Sequence, residues 1–333
     1  MKAKYDALLI VSFGGPEGMH EVMPFLENVI RGKNVSRERL LTVVEQYQFF
    51  DGTSPLNAQI RQFISALKQE FPNYNITLPV YWGNRNWHPF LSDAIKQMSL
   101  DGVKKALAFV TSGYSSYSSC RQYLENIEQA KQAAGDHAIQ IDKLRAFYNH
   151  PEFIHANVDY LQLALSKLGL KEPSLASVIF TAHSIPSTMA EHCNYKAQLL
   201  EVSQLVAQAT KLNNWHLVFQ SRSHNNGWLG PDIQEHLQAL SLSGVKDVVI
   251  VPIGFVCDHM EIIYDLDTQA RNLCQTLGLN MIRSATISSH PAYIKMVCNL
   301  VQERLDETYP KLALGAHGPL PDICSDSCCP AVS

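Results

Sequence analysis

The ten residues "SVIFTAHSIP" (177–186) run from an apolar stretch straight into an imidazole and then a proline. Val178 to Thr181 have the β-branched and aromatic character of a strand buried on both faces, as in a parallel sheet. Pro186 separates His183 from whatever helix follows, because the residue before a proline avoids helical geometry. His183 therefore falls at the carboxyl end of a strand, where open parallel sheets bind their ligands.

Outward from this stretch, strand-like runs alternate with longer helical patterns. The expected strands are 7–12, 76–82, 106–111, 139–144, 177–182, 216–221, 247–253 and 280–286. The amphipathic stretches between them include Pro55–Phe71, Ser119–Ala134, Pro151–Leu168, Pro186–Lys211 and Pro231–Leu242. This alternation predicts an α/β protein with parallel sheets covered by helices. About 170 residues separate the first strand from the one before His183. Four strands fall in each half, which predicts two Rossmann-like domains, each with a four-stranded parallel sheet, although no repeat of residues is visible. The expected boundaries are 1–150 and 151–288, with the linker near 146–172. A last helix, within 289–310, is expected to pack back on the first domain, and a Cys-rich tail occupies 311–333.

Charge and composition narrow the function. A net charge of −4 gives no basic stripe for nucleic acid. The opening apolar run is short, interrupted by Asp6 and followed by Gly-Gly-Pro, so it reads as a first strand and not as a secretory signal. No stretch reaches the length of a membrane span. A cytoplasmic protein is the expectation. Of eight cysteines, three crowd the end as "CSDSCC" (324–329); in a long chain without a secretory signal, clustered thiols point to metal ligation before disulfides.

Gly-rich and polar punctuation follows the strands repeatedly, as in "SFGGPE" (12–17), "WGNRNW" (82–87), "TSGYSSYSS" (111–119) and "QSRS" (220–223). One cleft between two domains is the economical picture. In "CDHMEIIYDLD" (257–267), helical spacing would put Asp258, Glu261 and Asp265 in one acidic row. The same row also suits a solvated face, and a helix dipole alone accounts for acids in the first turn. An imidazole facing carboxylates across a cleft suits a first-row divalent ion or a proton relay. There is no HExxH, no GxxxxGK[ST], no GxGxxG and no GxSxG around Ser184, which sets aside zinc protease, P-loop, dinucleotide and hydrolase readings. The many aromatic residues on the loops suggest a broad, flat, apolar ligand with polar edges.

The motifs "LIVSFGGPE" (9–17), "FDGTSPLNAQ" (50–59), "FVTSGYSSYSSCRQY" (109–123), "FTAHSIP" (180–186), "FQSRS" (219–223), "WLGPDI" (228–233) and "PIGFVCDHMEIIYDLD" (252–267) together resemble the ferrochelatase family, in order and over nearly the whole chain. The likeness is nearest to the actinobacterial-type enzymes for coproporphyrin III. It implies a porphyrin cleft between two domains and insertion of Fe²⁺ into a tetrapyrrole, a lyase reaction of heme biosynthesis. Protoporphyrin IX is the alternative substrate. Cobalt insertion into a sirohydrochlorin-like ring and a non-catalytic tetrapyrrole or heme carrier are more distant alternatives.

Carried over by position, the resemblance makes His183 and Glu261 catalytic and adds Asp265 to them around the Fe²⁺. His183, neutral near pH 7, would accept a pyrrole proton. Ser54 and Tyr123 match porphyrin contacts, and Arg31 matches a basic position near the propionates. Phe13 stands where relatives carry Tyr or Met beneath the macrocycle, which removes an axial oxygen; Trp228 and Phe13 would wall a bent ring. Gln46 replaces an Arg and Gln269 a carboxylate of some relatives. Cys324, Cys328 and Cys329 resemble the C-terminal ligands of cluster-bearing members, with Cys120 as fourth ligand of a [2Fe–2S] cluster and Cys193 as second choice. Zinc or free thiols are the alternatives. Transient contact with neighbouring heme-pathway enzymes is a further implied partnership.

Overall fold

The computed structural model describes residues 5–32, 35–135, 139–222, 227–325 and 327–331. Its first sheet contains strands β1 (Ala7–Ser12), β2 (Val80–Asn84), β3 (Lys105–Val110) and β4 (Gln140–Lys143) in the order β2-β1-β3-β4. The second contains β5 (Ser177–His183), β6 (Trp215–Gln220), β7 (Asp247–Val251) and β8 (Asn280–Arg283) in the order β6-β5-β7-β8. All pairings are parallel. The two orders are the same, so the second half repeats the topology of the first.

The strands form where apolar runs can be buried on both faces. Every residue of β1 is buried, and so are the first six of β5. Prolines set several ends. β2 begins at Val80, later than expected, just after Pro79, whose carbonyl still accepts from Leu8. β7 stops at Val251 because Pro252 has no N–H to continue the ladder. The expected helix 186–211 is two helices, Ser187–Glu191 and Tyr195–Ala209. Between them the imidazole Nδ1–H of His192 donates back to the Thr188 carbonyl at 2.8 Å.

Residues 146–172 join the two sheets through a packed segment. Phe147, Tyr148 and Phe153 are fully buried, and Pro151–Lys167 is a helix capped by His150, whose Nδ1 accepts from Glu152 N at 3.1 Å. The last helix, Pro291–Leu305, opens in the same way, with His290 Nδ1 accepting from Ala292 N. The two helices pack on each other. A single core therefore runs between the halves, containing Ile10 and Phe109 from one sheet and Phe180 and Val251 from the other.

The last helix also reaches the first sheet. Arg304 donates to the hydroxyl of Tyr5 at 2.7 Å and to Asp142 at 3.3 Å. Glu303 takes two bonds from Arg145, at 2.7 and 2.8 Å, with both side chains essentially inaccessible to water. Arg145 donates as well to the carbonyl of Leu312, tying the start of the tail to the same point.

The helices Met19–Val29 and Arg37–Gln48 are absent from the sequence reading. They bury Val22, Phe25, Leu26, Leu40 and Tyr47 against each other and against Met260 of the other half. This hairpin forms one wall of the cleft described next.

Candidate functional site

A cavity of about 960 Å³ opens between the carboxyl ends of the two sheets. Four groups of residues line it. Phe13, Ser54 and Arg85 come from loops of the first half, Tyr123 from the helix Gln122–Ala133, and Tyr47 from the helical hairpin. His183, Gln220 and Ser221 stand at the ends of β5 and β6, and His259, Glu261 and Asp265 follow β7.

His183 is the last residue of β5, paired with Gln220 on β6. Its backbone is pinned: the Tyr195 hydroxyl donates to the His183 carbonyl at 3.0 Å, and Ser184 N donates to the Gln220 carbonyl at 2.9 Å. The loop after β7 lies hard against this strand. Gly254 N donates to the Thr181 carbonyl, and a Cβ on Gly254 would come within 2.5 Å of the Cβ of Ala182. Only glycine permits that approach.

The imidazole has a defined orientation. Nδ1 faces the carbonyl of Ser184, which can only accept, so Nδ1 carries a hydrogen. Nε2 then points at the carboxylate of Glu261, 3.3 Å away. Burial opposes charge on His183, but Glu261 and the Ser184 carbonyl outweigh it, raising the imidazole pKa to about 9. The pairing therefore favours the protonated ring. This corrects the expectation of a neutral base: a partner at ion-pair distance decides the protonation state. His259, not singled out by sequence, lines the same cavity, and burial lowers its pKa.

The acidic row differs from the expected one. Glu261 and Asp265 face the cavity, followed on the same wall by Gln269. Asp258 does not join them. It precedes the helix, which starts at Met260, and accepts 3.0 and 3.2 Å bonds from Arg283. Arg283 also holds Asp267 through two 2.8 Å bonds. From Ile263 to Ala270 the helix is π-helical, a wider turn that often marks functional positions. Asp265 accepts from Ser221 Oγ at 2.5 Å and from Gln220 at 3.4 Å. Burial raises its pKa; Ser221 opposes and Glu261 adds to the rise, leaving it at about 6.

The structure brings Phe13, Ser54, Tyr123, His183, Glu261 and Asp265 to one cavity and leaves Arg31 and Trp228 off its wall. Arg31 lies in the exposed turn after Met19–Val29, where its guanidinium donates to Asn28. Trp228 pairs its backbone with Pro186 and is half-buried there.

The thiols form a second cluster. Cys120, Cys324, Cys328 and Cys329 line one smaller cavity of about 250 Å³ with Lys143 and Arg304. A hydrogen bond between Cys120 and Cys324, with burial, raises the Cys120 pKa, and the same bond lowers that of Cys324 against the effect of burial. Cys328 and Cys329 are 3.7 Å apart at sulfur. Cys193 is not on this wall. Among the described residues, no three His, Cys, Asp or Glu side chains stand close enough together to hold a metal ion. No helix there is long and apolar enough to cross a membrane.

The ferrochelatase family profile matches residues 5–305. A ferrochelatase of Rhodopirellula baltica is 49% identical over 98% of this chain and 93% of its own length. A coproporphyrin III ferrochelatase of Streptomyces coelicolor is 44% identical over 98% of this chain and 94% of its own. Among solved structures, SirB from Bacillus subtilis with Fe³⁺ superposes with a TM-score of 0.57 at 13% identity, covering 92% of this chain and 98% of SirB, which is a likeness of fold.

Proposed function

Because the chain belongs to the ferrochelatase family, a lyase family with Fe²⁺ as substrate, we propose that it inserts Fe²⁺ into coproporphyrin III, and that His183, Glu261 and Asp265 handle the metal and the protons. The observation that carries this reading is the 3.3 Å approach of His183 and Glu261 on the wall of a cleft large enough for a macrocycle. The choice of coproporphyrin III is supported by relatives that carry it in their names, such as the one from Streptomyces coelicolor.

Metal insertion exchanges two pyrrole N–H protons for one Fe²⁺. His183 already holds a proton at pH 7, so the carboxylates are the first acceptors. Glu261 takes one pyrrole proton and Asp265, its pKa raised to about 6, takes the other on the same face. The approach of Fe²⁺ makes the imidazolium a stronger acid; His183 releases its Nε2 proton to the solvent that reaches this exposed pair and offers a lone pair. Phe13, part of the opposite wall, presents an aromatic ring with no ligand atom. The metal is thus not held from that side, as release of a product requires.

We assign Ser54 and Tyr123 to contact with the porphyrin. We propose that Cys120, Cys324, Cys328 and Cys329, which line one small cavity, would hold a [2Fe–2S] cluster once the tail drew them together, since no three of them stand at metal-binding spacing in this structure. When bound it would tie the tail to the first sheet and supply a one-electron centre. A colourless, iron-free protein after anaerobic purification would refute that assignment. Eight free cysteines suit a reducing compartment, and on that ground we place the protein in the cytoplasm.

Anaerobic incubation with Fe²⁺ and each porphyrin in turn tests the function. The expected product is the iron complex of coproporphyrin III, formed faster than that of protoporphyrin IX. Stoichiometric binding without turnover would instead indicate a carrier.

A further inference from the structure

Two consecutive residues on the cavity wall have buried hydrogen-bond donors without acceptors. Nε of Arg85 and Nδ2 of Asn86 are both shielded from water and unpartnered. Asn86 is 8% exposed. Buried donors of this kind are rare because leaving one unpaired is costly. Both residues line the large cavity.

Their placement is rigid. They follow directly on β2, and their backbone N–H groups donate to the carbonyls of Ser12 and Phe13 at 3.0 and 3.1 Å. Asn28 donates to the Asn86 carbonyl at 3.2 Å. The Arg85 guanidinium lies over the ring of Tyr123, 4.8 Å from its centroid, and 5.6 Å from that of Phe13. Its guanidinium also makes a long hydrogen bond, 3.5 Å, to the Ser118 carbonyl and one to the Tyr123 side chain. Arg85 forms no ion pair among the described residues, whereas Arg222 on the same cavity lies 3.7 Å from Glu235. The carboxylates of the cavity sit on the second half of the chain, on Asp232, Glu235, Glu261 and Asp265.

We propose that Arg85 and Asn86 together form a carboxylate-binding site that takes one propionate of the macrocycle and so sets which edge of the ring faces the first sheet. The inference rests on the porphyrin reading above. A guanidinium placed near two aromatic rings, with an amide beside it, offers a fork of donors that matches a carboxylate. It also completes a polarity across the cleft, with carboxylate-binding donors on one side and the metal-handling acids on the other.

Equilibrium binding of coproporphyrin III, followed by its fluorescence, tests this in the full chain. Charged hydrogen bonds of this type are worth a factor of about 10 to 100 in affinity. Arg85→Met should weaken binding by that factor, Arg85→Glu by more, and Arg85→Lys, which keeps the charge but loses the fork, by clearly less than Met, with the KM for Fe²⁺ unchanged in each. Asn86→Asp, which keeps the guanidinium but places a negative charge beside it, should weaken binding as Arg85→Met does. A wall with only a packing role predicts that Lys is as damaging as Met, and that result, or unchanged affinity in Arg85→Met and Asn86→Asp, would overturn the proposal. If the unaltered protein bound no porphyrin, the functional reading itself would fall. If it bound and metallated porphyrin while the series stayed flat, only this inference would.

Discussion

His183 Nε2 and Glu261 Oε2 lie 3.3 Å apart, yet they come from different loops, one ending β5 and one following β7. The pair is held from both sides, by Tyr195 on the His183 carbonyl and by Met260 buried against the helical hairpin of the other half. With side chains 34% and 54% exposed, both groups remain open to the cavity. Their charge state is the property most easily measured.

Replacing Glu261 by Gln removes the charge that holds the proton on His183. The His183 pKa should then fall from about 9 toward 6.5 or below, since burial alone lowers it. An NMR titration of the imidazole checks this; a value still near 9 in Glu261→Gln would show that Glu261 is not the cause. Turnover should fall by about 10²- to 10⁴-fold, the usual contribution of an acid–base group.

Asp265 gives a stability prediction of defined sign. Its pKa is raised from 3.8 to about 6 in the folded state, so its contribution to stability is fully present below about 3.8 and is lost as pH rises through about 6. Asp265→Asn should therefore stabilise the protein above pH 6, by on the order of 2 kcal/mol, while slowing metal insertion. Urea unfolding at pH 5 and pH 8 measures it. Equal effects at the two pH values would contradict the raised pKa.

His183 has the same sign for a different reason. Its pKa is raised to about 9, so its pairing stabilises the fold below about 6.5 and ceases to do so as pH rises through 9. Fe²⁺ binding at Nε2 must displace that proton. The KM for Fe²⁺ should fall as pH is raised from 7 toward 9, and a flat profile over that window would argue against His183 as a ligand.

Much of this was legible beforehand. The eight strands stand out because their apolar runs are nearly continuous, and His183 because a histidine interrupts one of them at its end. The hairpin of Met19–Val29 and Arg37–Gln48 was missed. Its first helix has an apolar face, with Val22, Phe25 and Leu26 buried, but contains Pro24, which reads as a helix breaker, and its second presents few buried residues. Asp258 looked like part of the acidic row because helical spacing was counted from it, while its partner Arg283 lies 25 residues away. Protonation of His183 could not be read from a motif, because it depends on a distance set by two loops. Arg85 and Asn86 lie in a quoted loop, but only the burial of their unpaired donors distinguishes them.

Glu303 tests the architecture apart from the chemistry. It pairs with Arg145 in a site closed to water, and breaking such a pair strands a buried charge. Glu303→Ala should cost about 3 to 5 kcal/mol, seen as a lowered urea midpoint. A loss below 1 kcal/mol would mean that the helix Pro291–Leu305 is not anchored to the first sheet through this contact.

The most direct test of the account compares the unaltered protein with His183→Ala, measuring coproporphyrin III binding by fluorescence and Fe²⁺ insertion by absorbance under anaerobic conditions. The account predicts that binding survives within a fewfold while insertion drops by at least about 10²-fold. Insertion at a near-normal rate in His183→Ala would contradict it.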